Sequence, residues 1–139
     1  TTVEHLSTRK IGAIITIEKQ NTLNSFIRGE VKIDSVVSQE LLNTIFFPNT
    51  ALHDGAVIIR GNRIMWASAY YPSCDRTDIP QSYGSRHRAA IGISEKTDAF
   101  TIVVSEETGK ISVTIDGTIT SGISLDSLRV SLNQQIIIQ

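Results

Sequence analysis

The sequence predicts a single α/β domain, built on a mixed, twisted β-sheet that helices cover on both faces. Segments 11–17, 56–59 and 100–104 are apolar at nearly every position instead of at alternate positions. Strands with this pattern are buried on both sides, so helices must pack against both faces of the sheet. With 139 residues, the chain is long enough for one such domain, which buries about two-thirds of its unfolded surface.

The first half of the chain contains a strand and a helix separated by a polar stretch. Residues 10–19 form an Ile-rich apolar run, which predicts a buried strand. The polar residues 21–35 predict a loop with about one helical turn and a short strand. Residues 38–47 predict a helix, because Ser38 is a favourable N-cap and Pro48 stops the helix. Its apolar stripe consists of Leu41, Leu42, Ile45 and Phe46.

A β-hairpin is predicted over residues 55–71, where two apolar runs flank the turn sequence Arg60-Gly61-Asn62-Arg63. The chain then continues as a polar loop from Pro72 to Gly84. A helix that starts with basic residues follows over roughly 86–97.

The last part of the chain returns to strands before a closing helix. Residues 99–120 predict two strands joined by a tight turn, then an Asp116-Gly117 turn and a last short strand. Residues 110–116 alternate apolar and polar side chains, which predicts a half-exposed strand near an edge of the sheet. Residues 124–136 predict the final helix, with Ser124 as its N-cap.

Composition and charge exclude several functional classes. The chain is 40% apolar and 19% charged, with a net charge of −1, as in an ordinary soluble globular protein. This balance argues against broad binding to nucleic acid or to an anionic membrane, although a local phosphate site is compatible with it. The single cysteine, Cys74, excludes an internal disulfide framework and a cysteine-rich metal cluster, and it suits a reducing cytoplasm.

Targeting signals and common catalytic motifs are also missing from the sequence. No apolar run approaches the ~18 residues of a membrane span, and no signal peptide is recognisable. A nucleophile elbow, a Walker A loop, a GxGxxG turn and zinc-ligand spacing are absent, which disfavours serine hydrolases, P-loop NTPases and dinucleotide oxidoreductases. The sequence begins in mid-pattern with "TTVEHLSTRK" and ends on "QQIIIQ", which leaves open a longer parent chain with an anchor or a regulatory domain.

The stretch "SYGSRHRAAIG" places a basic cluster at the start of a helix. Ser85 is the predicted N-cap, and Arg86, His87 and Arg88 follow it at once. A helix N-terminus carries the positive end of the macrodipole and unpaired N–H donors, so acidic residues are preferred there. Each exposed cation at this end costs about 0.3–1 kcal/mol.

Two interpretations of this cluster remain open. In one, the basic side chains are solvated or paired with carboxylates elsewhere in the fold. In the other, Gly84, Ser85, the free N–H groups and the two arginines converge on a bound anion, as in phosphate sites. Residues 86 and 88 lie about 200° apart on an ideal helix, which opposes contact of both arginines with one phosphate.

The stretch "LHDGAVII" places an acidic residue just before a buried strand. Asp54-Gly55 can be a simple turn, but only its downstream side resembles a strand, so it is not an ordinary hairpin. A carboxylate at this position suits a Mg²⁺ ligand or a hydroxyl partner, and Gly55 would let a ligand approach the backbone. His53 is either a second ligand or, as expected of an isolated histidine, a core residue.

Two further stretches allow a binding role beside a structural one. "SEETGK", from Ser105 to Lys110, predicts a tight turn with solvated carboxylates, from which Ser105 or a Glu can point back into the same cleft. "AYYP" ends a strand with Tyr70 and Tyr71. These rings can stack on adenine or pack under the following loop, and packing is the default expectation.

Three blocks in a fixed order resemble the catalytic domain of bacterial diadenylate cyclases. They are "LHDGAVII", then "GSRHRAAIGISEKTDA", then "IVVSEETGKISV". That family is marked by a DGA motif and an RHR motif, which correspond here to Asp54-Gly55-Ala56 and Arg86-His87-Arg88. The resemblance extends over about residues 3–117 and includes "RKIGAIITIE" and "SQELLNTIFFPNT".

The resemblance implies a reaction and a set of site residues. The family condenses two ATP into cyclic di-AMP and releases two pyrophosphates. Asp54 would contact the attacking ribose 3′-hydroxyl and a divalent metal, Mg²⁺ or Mn²⁺, with His87 as a second metal ligand. The implied catalytic residues are Asp54, Arg86 and His87. The implied ATP-binding residues are Gly55, Ala56, Tyr70, Tyr71, Ser85, Arg86, His87, Arg88, Ser105 and Glu107.

This sequence departs from the family pattern at three positions. Ser85 stands where the family usually has Thr, which keeps the hydroxyl group. Ala51 replaces a proline before Leu52-His53-Asp54. Tyr71 replaces a typical aliphatic residue, which leaves the details of adenine contact open.

The two-fold symmetry of cyclic di-AMP implies a partner for this domain. One domain holds one ATP, so catalysis requires two domains face to face, as a homodimer or within a higher oligomer. We expect a cytoplasmic domain without nucleic-acid partners, which reaches a membrane only through a segment outside this sequence. The alternative is a nucleotide-sensing module without turnover. Loss of Asp54 or Arg86 would indicate that alternative, and both are present.

Overall fold

A seven-stranded mixed sheet forms the centre of the computed structural model, which describes residues 2–21, 23–71 and 84–137. The strands are β1 (Ala13–Glu18), β2 (Val31–Val36), β3 (Ala56–Arg60), β4 (Arg63–Ala69), β5 (Phe100–Val104), β6 (Ile111–Ile115) and β7 (Thr118–Ser121). Their spatial order is β2-β4-β3-β1-β5-β6-β7. β1 pairs with β3 in parallel, and the other neighbouring pairs are antiparallel.

Within the described part of the chain, four α-helices flank the sheet and cover both of its faces. They are α1 (Thr2–Thr8), α2 (Gln39–Phe46), α3 (Ser85–Lys96) and α4 (Leu125–Ile137). α1, α2 and α4 contribute apolar side chains to the larger core on one face, whereas α3 packs on the other face against β5 and β6. The predicted fold class is therefore confirmed. Among the described residues, none of the helices has both the length and the apolar character needed to cross a membrane.

The central strand β1 shows why the sheet needs two layers of cover. All six of its residues are buried, so both faces exclude water. Ile15 and Ile17 belong to the larger core. On the opposite face, the Thr16 hydroxyl is hydrogen-bonded to the hydroxyl of Thr101 on β5 at 3.0 Å.

Several predicted local features are confirmed. The Ser38 hydroxyl accepts from the Leu41 N–H at 3.1 Å and so caps α2. Ser124 caps α4 in the same way, accepting from Ser127 N–H at 3.1 Å. The predicted helical turn is a 3₁₀ turn over Asn24–Phe26, and the hairpin corresponds to β3 and β4.

Two local predictions differ from the structure, and one helix has no counterpart among the predicted elements. Ser85 is not the N-cap of α3: Gly84 is, with extended backbone angles, and its carbonyl accepts from Arg88 N–H at 3.2 Å. The β6 strand is buried rather than half-exposed, because α3 covers one face and the Thr114 hydroxyl donates to the Ala90 carbonyl there. α1 was not predicted at all. The predicted loop from Pro72 and the single Cys74 lie outside the described residues, apart from Gly84 at the loop's end.

Candidate active site

A cavity of about 470 Å³ lies where the N-terminal end of α3 meets the segment before β3 and the end of β4. Its volume is in the range of small-molecule sites. The predicted residues that line it are Asp54, Gly55, Tyr70, Tyr71, Ser85, Arg86 and Arg88. Of the other predicted residues, Ala56, His87, Ser105 and Glu107 are not among its described lining residues. The lining residues outside the implied site set are Ile14, His53, Ala69, Ala89 and Glu106. Of these, the sequence left open a ligand role for His53 and a position in the cleft for one of the glutamates.

Arg86 lies at the centre of this site, in the first turn of α3. Its guanidinium Nη1 is 3.3 Å from Glu106 Oε1, and its Nη2 is 3.9 Å from Asp54 Oδ1. Only 19% of the side chain is exposed. The two carboxylates compensate for the charge of Arg86 at the positive end of the helix dipole. For Arg86, the interpretation that a basic side chain pairs with carboxylates elsewhere in the fold is therefore observed. Gly84 has no side chain, so the N-cap residue makes no side-chain hydrogen bond to the first N–H groups of α3.

Asp54 and His53 form an adjacent pair at the cavity wall. Asp54 is 60% exposed, and its Oδ1 lies 3.4 Å from His53 Nε2. His53 Nδ1 is 2.7 Å from the Thr50 carbonyl oxygen. Because a carbonyl oxygen can only accept, Nδ1 donates to it, and Nε2 is the ring nitrogen that lies beside the carboxylate. The expectation that His53 is a core histidine is wrong, since it is half-buried and lines the cavity.

The donor atoms at this site suit a divalent metal that is shared with a substrate. Among the described residues, no three His, Cys, Asp or Glu side chains are grouped closely enough to hold a metal ion alone. Mg²⁺ is usually bound by one or two protein ligands together with substrate phosphates and water. Asp54 and neighbouring His53 fit this pattern. Burial, followed by the charge of Arg86, lowers the pKa of His87, which favours its neutral form.

The two tyrosines at the end of β4 differ in their surroundings. Tyr70 is 49% exposed and lines the cavity, as expected of a ring that stacks on a planar group. The Tyr71 hydroxyl instead donates to Thr16 Oγ1 at 2.6 Å, and its ring packs against the smaller core. Burial raises the pKa of Tyr71 well above its ordinary value, so this hydroxyl stays protonated. Contact of either ring with adenine stays a prediction.

The turn after β5 orients one glutamate toward the cavity and another away from it. The Ser105 hydroxyl accepts from the N–H groups of Glu107 and Thr108 at 3.2 and 3.3 Å. This turn directs Glu106 to Arg86, whereas Glu107 is exposed outside the cavity lining. The "SEETGK" pattern shows that a carboxylate is available, but the turn geometry decides which one is used.

Gly55 is required by the neighbouring strand rather than by ligand approach alone. Its φ is +80°, and a Cβ there would lie 2.8 Å from the Ser68 carbonyl carbon and 2.9 Å from the Ala69 oxygen. Both contacts are with the backbone of β4, which cannot move aside cheaply. The absence of a side chain therefore lets the Asp54 segment pack against β4.

Gly55→Ala is expected to lower the free energy of unfolding by about 2–4 kcal/mol, since it adds backbone strain to a steric conflict. Gly61→Ala is the matched control, because Gly61 has a similar φ of +62° and a Cβ added there would meet nothing within 4 Å. It should cost only about 1 kcal/mol. Urea unfolding measures both values. Equal losses in the two variants would contradict the packing argument.

Comparison with known proteins identifies the family. Residues 1–119 match the family model DAC, described as DisA bacterial checkpoint controller nucleotide-binding. The chain is 42% identical over 134 residues to a protein named diadenylate cyclase from Listeria monocytogenes, covering 96% of this chain and 49% of that protein. It is 49% identical over 137 residues to the diadenylate cyclase of Mycoplasma pneumoniae, covering 98% and 66% respectively.

A solved structure gives the same result at the level of the fold. The crystal structure of a double mutant of DacA from Staphylococcus aureus matches with a TM-score of 0.94 at 47% identity, covering 97% of this chain and 90% of that chain. The chain spans about half the length of the first curated relative. With the family model matched over most of the sequence and close relatives in sequence and fold, the chain belongs to the DAC family of DisA-type nucleotide-binding domains.

Proposed function

We propose that residues 1–139 form the catalytic domain of a diadenylate cyclase, which condenses two ATP into cyclic di-AMP and releases two pyrophosphates. The family and the names of its relatives support this activity. The observation that carries the proposal is the arrangement of Asp54 and Arg86, which face one cavity with a carboxylate and a guanidinium close together. A nucleoside triphosphate has phosphates that the Arg86 guanidinium can bind and a ribose hydroxyl that can donate a hydrogen bond to the Asp54 carboxylate.

The proposed reaction forms a bond between the ribose 3′-oxygen of one ATP and the α-phosphorus of the other, and breaks the bond from that phosphorus to pyrophosphate. Phosphoryl transfer depends mainly on positioning and on neutralising charge. Asp54 would accept a hydrogen bond from the attacking 3′-hydroxyl, orient it, and take up its proton as the new bond to phosphorus forms. Arg86, with the N–H groups of the α3 N-terminus, would stabilise the charge on the phosphates.

The remaining predicted residues have supporting roles in this proposal. Ser85, His87 and Arg88 would complete the phosphate contacts, and Tyr70 would flank the adenine. When bound, Mg²⁺ or Mn²⁺ supplies charge neutralisation on the phosphate oxygens. Asp54 and His53 would hold it from the protein side, with His87 as the ligand that the family resemblance implies. We place the reaction in the cytoplasm, with ATP as the small-molecule partner.

The product symmetry requires that two domains act together. Cyclic di-AMP contains two equivalent 3′–5′ bonds, and each would form by attack of one domain's nucleotide on the other's α-phosphate. Two cavities must therefore face each other in a homodimer. A monomer with every site residue intact should bind ATP without turning it over.

Incubation of the chain with ATP and Mn²⁺ or Mg²⁺, followed by chromatography, tests the activity directly. We expect cyclic di-AMP and pyrophosphate in a ratio of one to two. The rate per chain should fall in proportion to concentration below the dimer dissociation constant, because two chains make each product. Binding of ATP without product, at protein concentrations where dimers form by sedimentation, would overturn the cyclase proposal in favour of a nucleotide-sensing module. A rate per chain that is independent of dilution would contradict the dimer.

A further inference from the structure

Gly12 is a buried glycine immediately before the central strand β1. Side chains alternate along an extended chain, so position 12 shares a face with Ile14. Ile14 lines the cavity described above. A side chain at position 12 would therefore point toward the same region, and the sequence places none there.

The space beside Gly12 is filled by the end of the Arg86 side chain. A Cβ at position 12 would lie 2.6 Å from both Cζ and Nη1 of Arg86, and 3.0 Å from its Nε. The guanidinium thus lies on the bare Cα of Gly12. The backbone at Gly12 is outside the left-handed region, so the chain path does not demand glycine there. The Arg86 guanidinium can make this contact because Gly12 has no side chain.

We propose that Gly12 is a positioning residue for Arg86. Because Gly12 has no side chain, the Arg86 guanidinium lies against the sheet with its N–H donors directed to the phosphate site. The two ion pairs of Arg86, at 3.3 and 3.9 Å, involve exposed carboxylates and fix the side chain only weakly. The backbone of Gly12 beneath the guanidinium restricts its distance from the sheet and its tilt, which the two ion pairs leave free. This inference rests on the proposed role of Arg86 in holding phosphate.

The same geometry predicts that a methyl group at position 12 disturbs the site and leaves the fold intact. The conflict is with the far end of a flexible side chain, which moves more easily than backbone. To restore van der Waals contact, the guanidinium must move by about 1 Å. A shift of this size in a group that positions a reacting phosphate can cost about 10²-fold in rate.

The test compares Gly12→Ala, Arg86→Ala and the double variant with the unaltered chain. For each we would measure kcat/KM for cyclic di-AMP formation, the affinity for inorganic tripolyphosphate by calorimetry, and the thermal unfolding midpoint. Gly12→Ala should lose about 10²-fold in kcat/KM, bind tripolyphosphate more weakly, and unfold at the same midpoint. In the Arg86→Ala background, Gly12→Ala should cause no further loss, because its effect passes through Arg86. Gly61→Ala, a strained but remote turn position, controls for lost stability alone.

Three results with the variants would overturn the positioning role. They are unaltered kcat/KM and tripolyphosphate affinity in Gly12→Ala, an equal further loss in the Arg86→Ala background, and a loss that Gly61→Ala reproduces. The calorimetric measurement needs no turnover, so it separates this inference from the proposed function. If the unaltered chain made no cyclic di-AMP but its tripolyphosphate affinity fell on Gly12→Ala only when Arg86 is present, the cyclase proposal would fail and the positioning role would stand. If the unaltered chain bound no tripolyphosphate, the inference would fall as well.

Discussion

Asp54→Asn is expected to reduce cyclic di-AMP synthesis by about 10²–10⁴-fold, the range typical of losing a group that handles a reacting proton. The amide has nearly the shape of the carboxylate, so the segment before β3 should keep its fold. It lacks the negative charge that would polarise the 3′-hydroxyl and attract a divalent metal. Binding of ATP should be largely retained, because Asp54 contributes negative charge rather than a phosphate contact.

A matched control is available at Asp34, whose carboxylate is ion-paired with Arg63 at 2.8 Å. Asp34 has a positive φ of 51°, a conformation that Asn also adopts readily. Asp34→Asn therefore repeats the chemical change away from the cavity and should leave turnover unaltered. Steady-state rates and ATP calorimetry on both variants decide the matter. Activity of Asp54→Asn within a few-fold of the unaltered chain would show that the role assigned to Asp54 is wrong.

The elements predicted correctly from sequence are those with local causes. The Ser38 cap and the stop at Pro48 bound α2 without help from the rest of the fold. Strand β1 is recognisable because a short segment that is apolar at nearly every position is typical of a buried strand. The family resemblance also implied that Asp54 and Arg86 belong to one site, and the structure brings them to one cavity.

The features that were missed depend on contacts between distant parts of the chain. α1 has only seven residues, too few for a helical period to stand out, and it is held by Leu6 in the core and by the Ser7 hydroxyl, which donates to the Gly109 carbonyl. The burial of β6 follows from the position of α3, which no pattern within 110–116 encodes.

The same limit applies to the site. Glu106 rather than Glu107 faces Arg86 because of the conformation of the turn after β5. Gly12 and Gly55 are glycines for reasons that lie on other elements, namely the Arg86 guanidinium and the β4 backbone. Such reasons become visible only when residues far apart in sequence are brought together.

Arg86→Ala should lower kcat/KM by about 10³-fold, since an arginine that neutralises a transferring phosphoryl group is commonly worth that much. Unlike Asp54→Asn, it should also weaken ATP binding. Its removal leaves the carboxylates of Asp54 and Glu106 at the cavity without their shared cation, and both then repel the triphosphate. Arg86→Lys keeps the charge but loses the planar fork, so it should recover only part of the activity.

The repulsion can be isolated by adding Glu106→Gln to Arg86→Ala. If the loss of ATP affinity comes partly from the uncompensated carboxylate, the double variant should bind ATP more tightly than Arg86→Ala alone, although it should not regain turnover. Arg63→Ala, which removes an arginine from the ion pair with Asp34, controls for a change of one unit in net charge and should leave kcat/KM unaltered. Calorimetry and rate measurements at low and high salt separate the two effects, because salt screens the repulsion between exposed charges but does not replace a missing phosphate contact. An Arg86→Ala variant with normal ATP affinity and turnover would mean that the basic start of α3 serves only to pair with its own carboxylates.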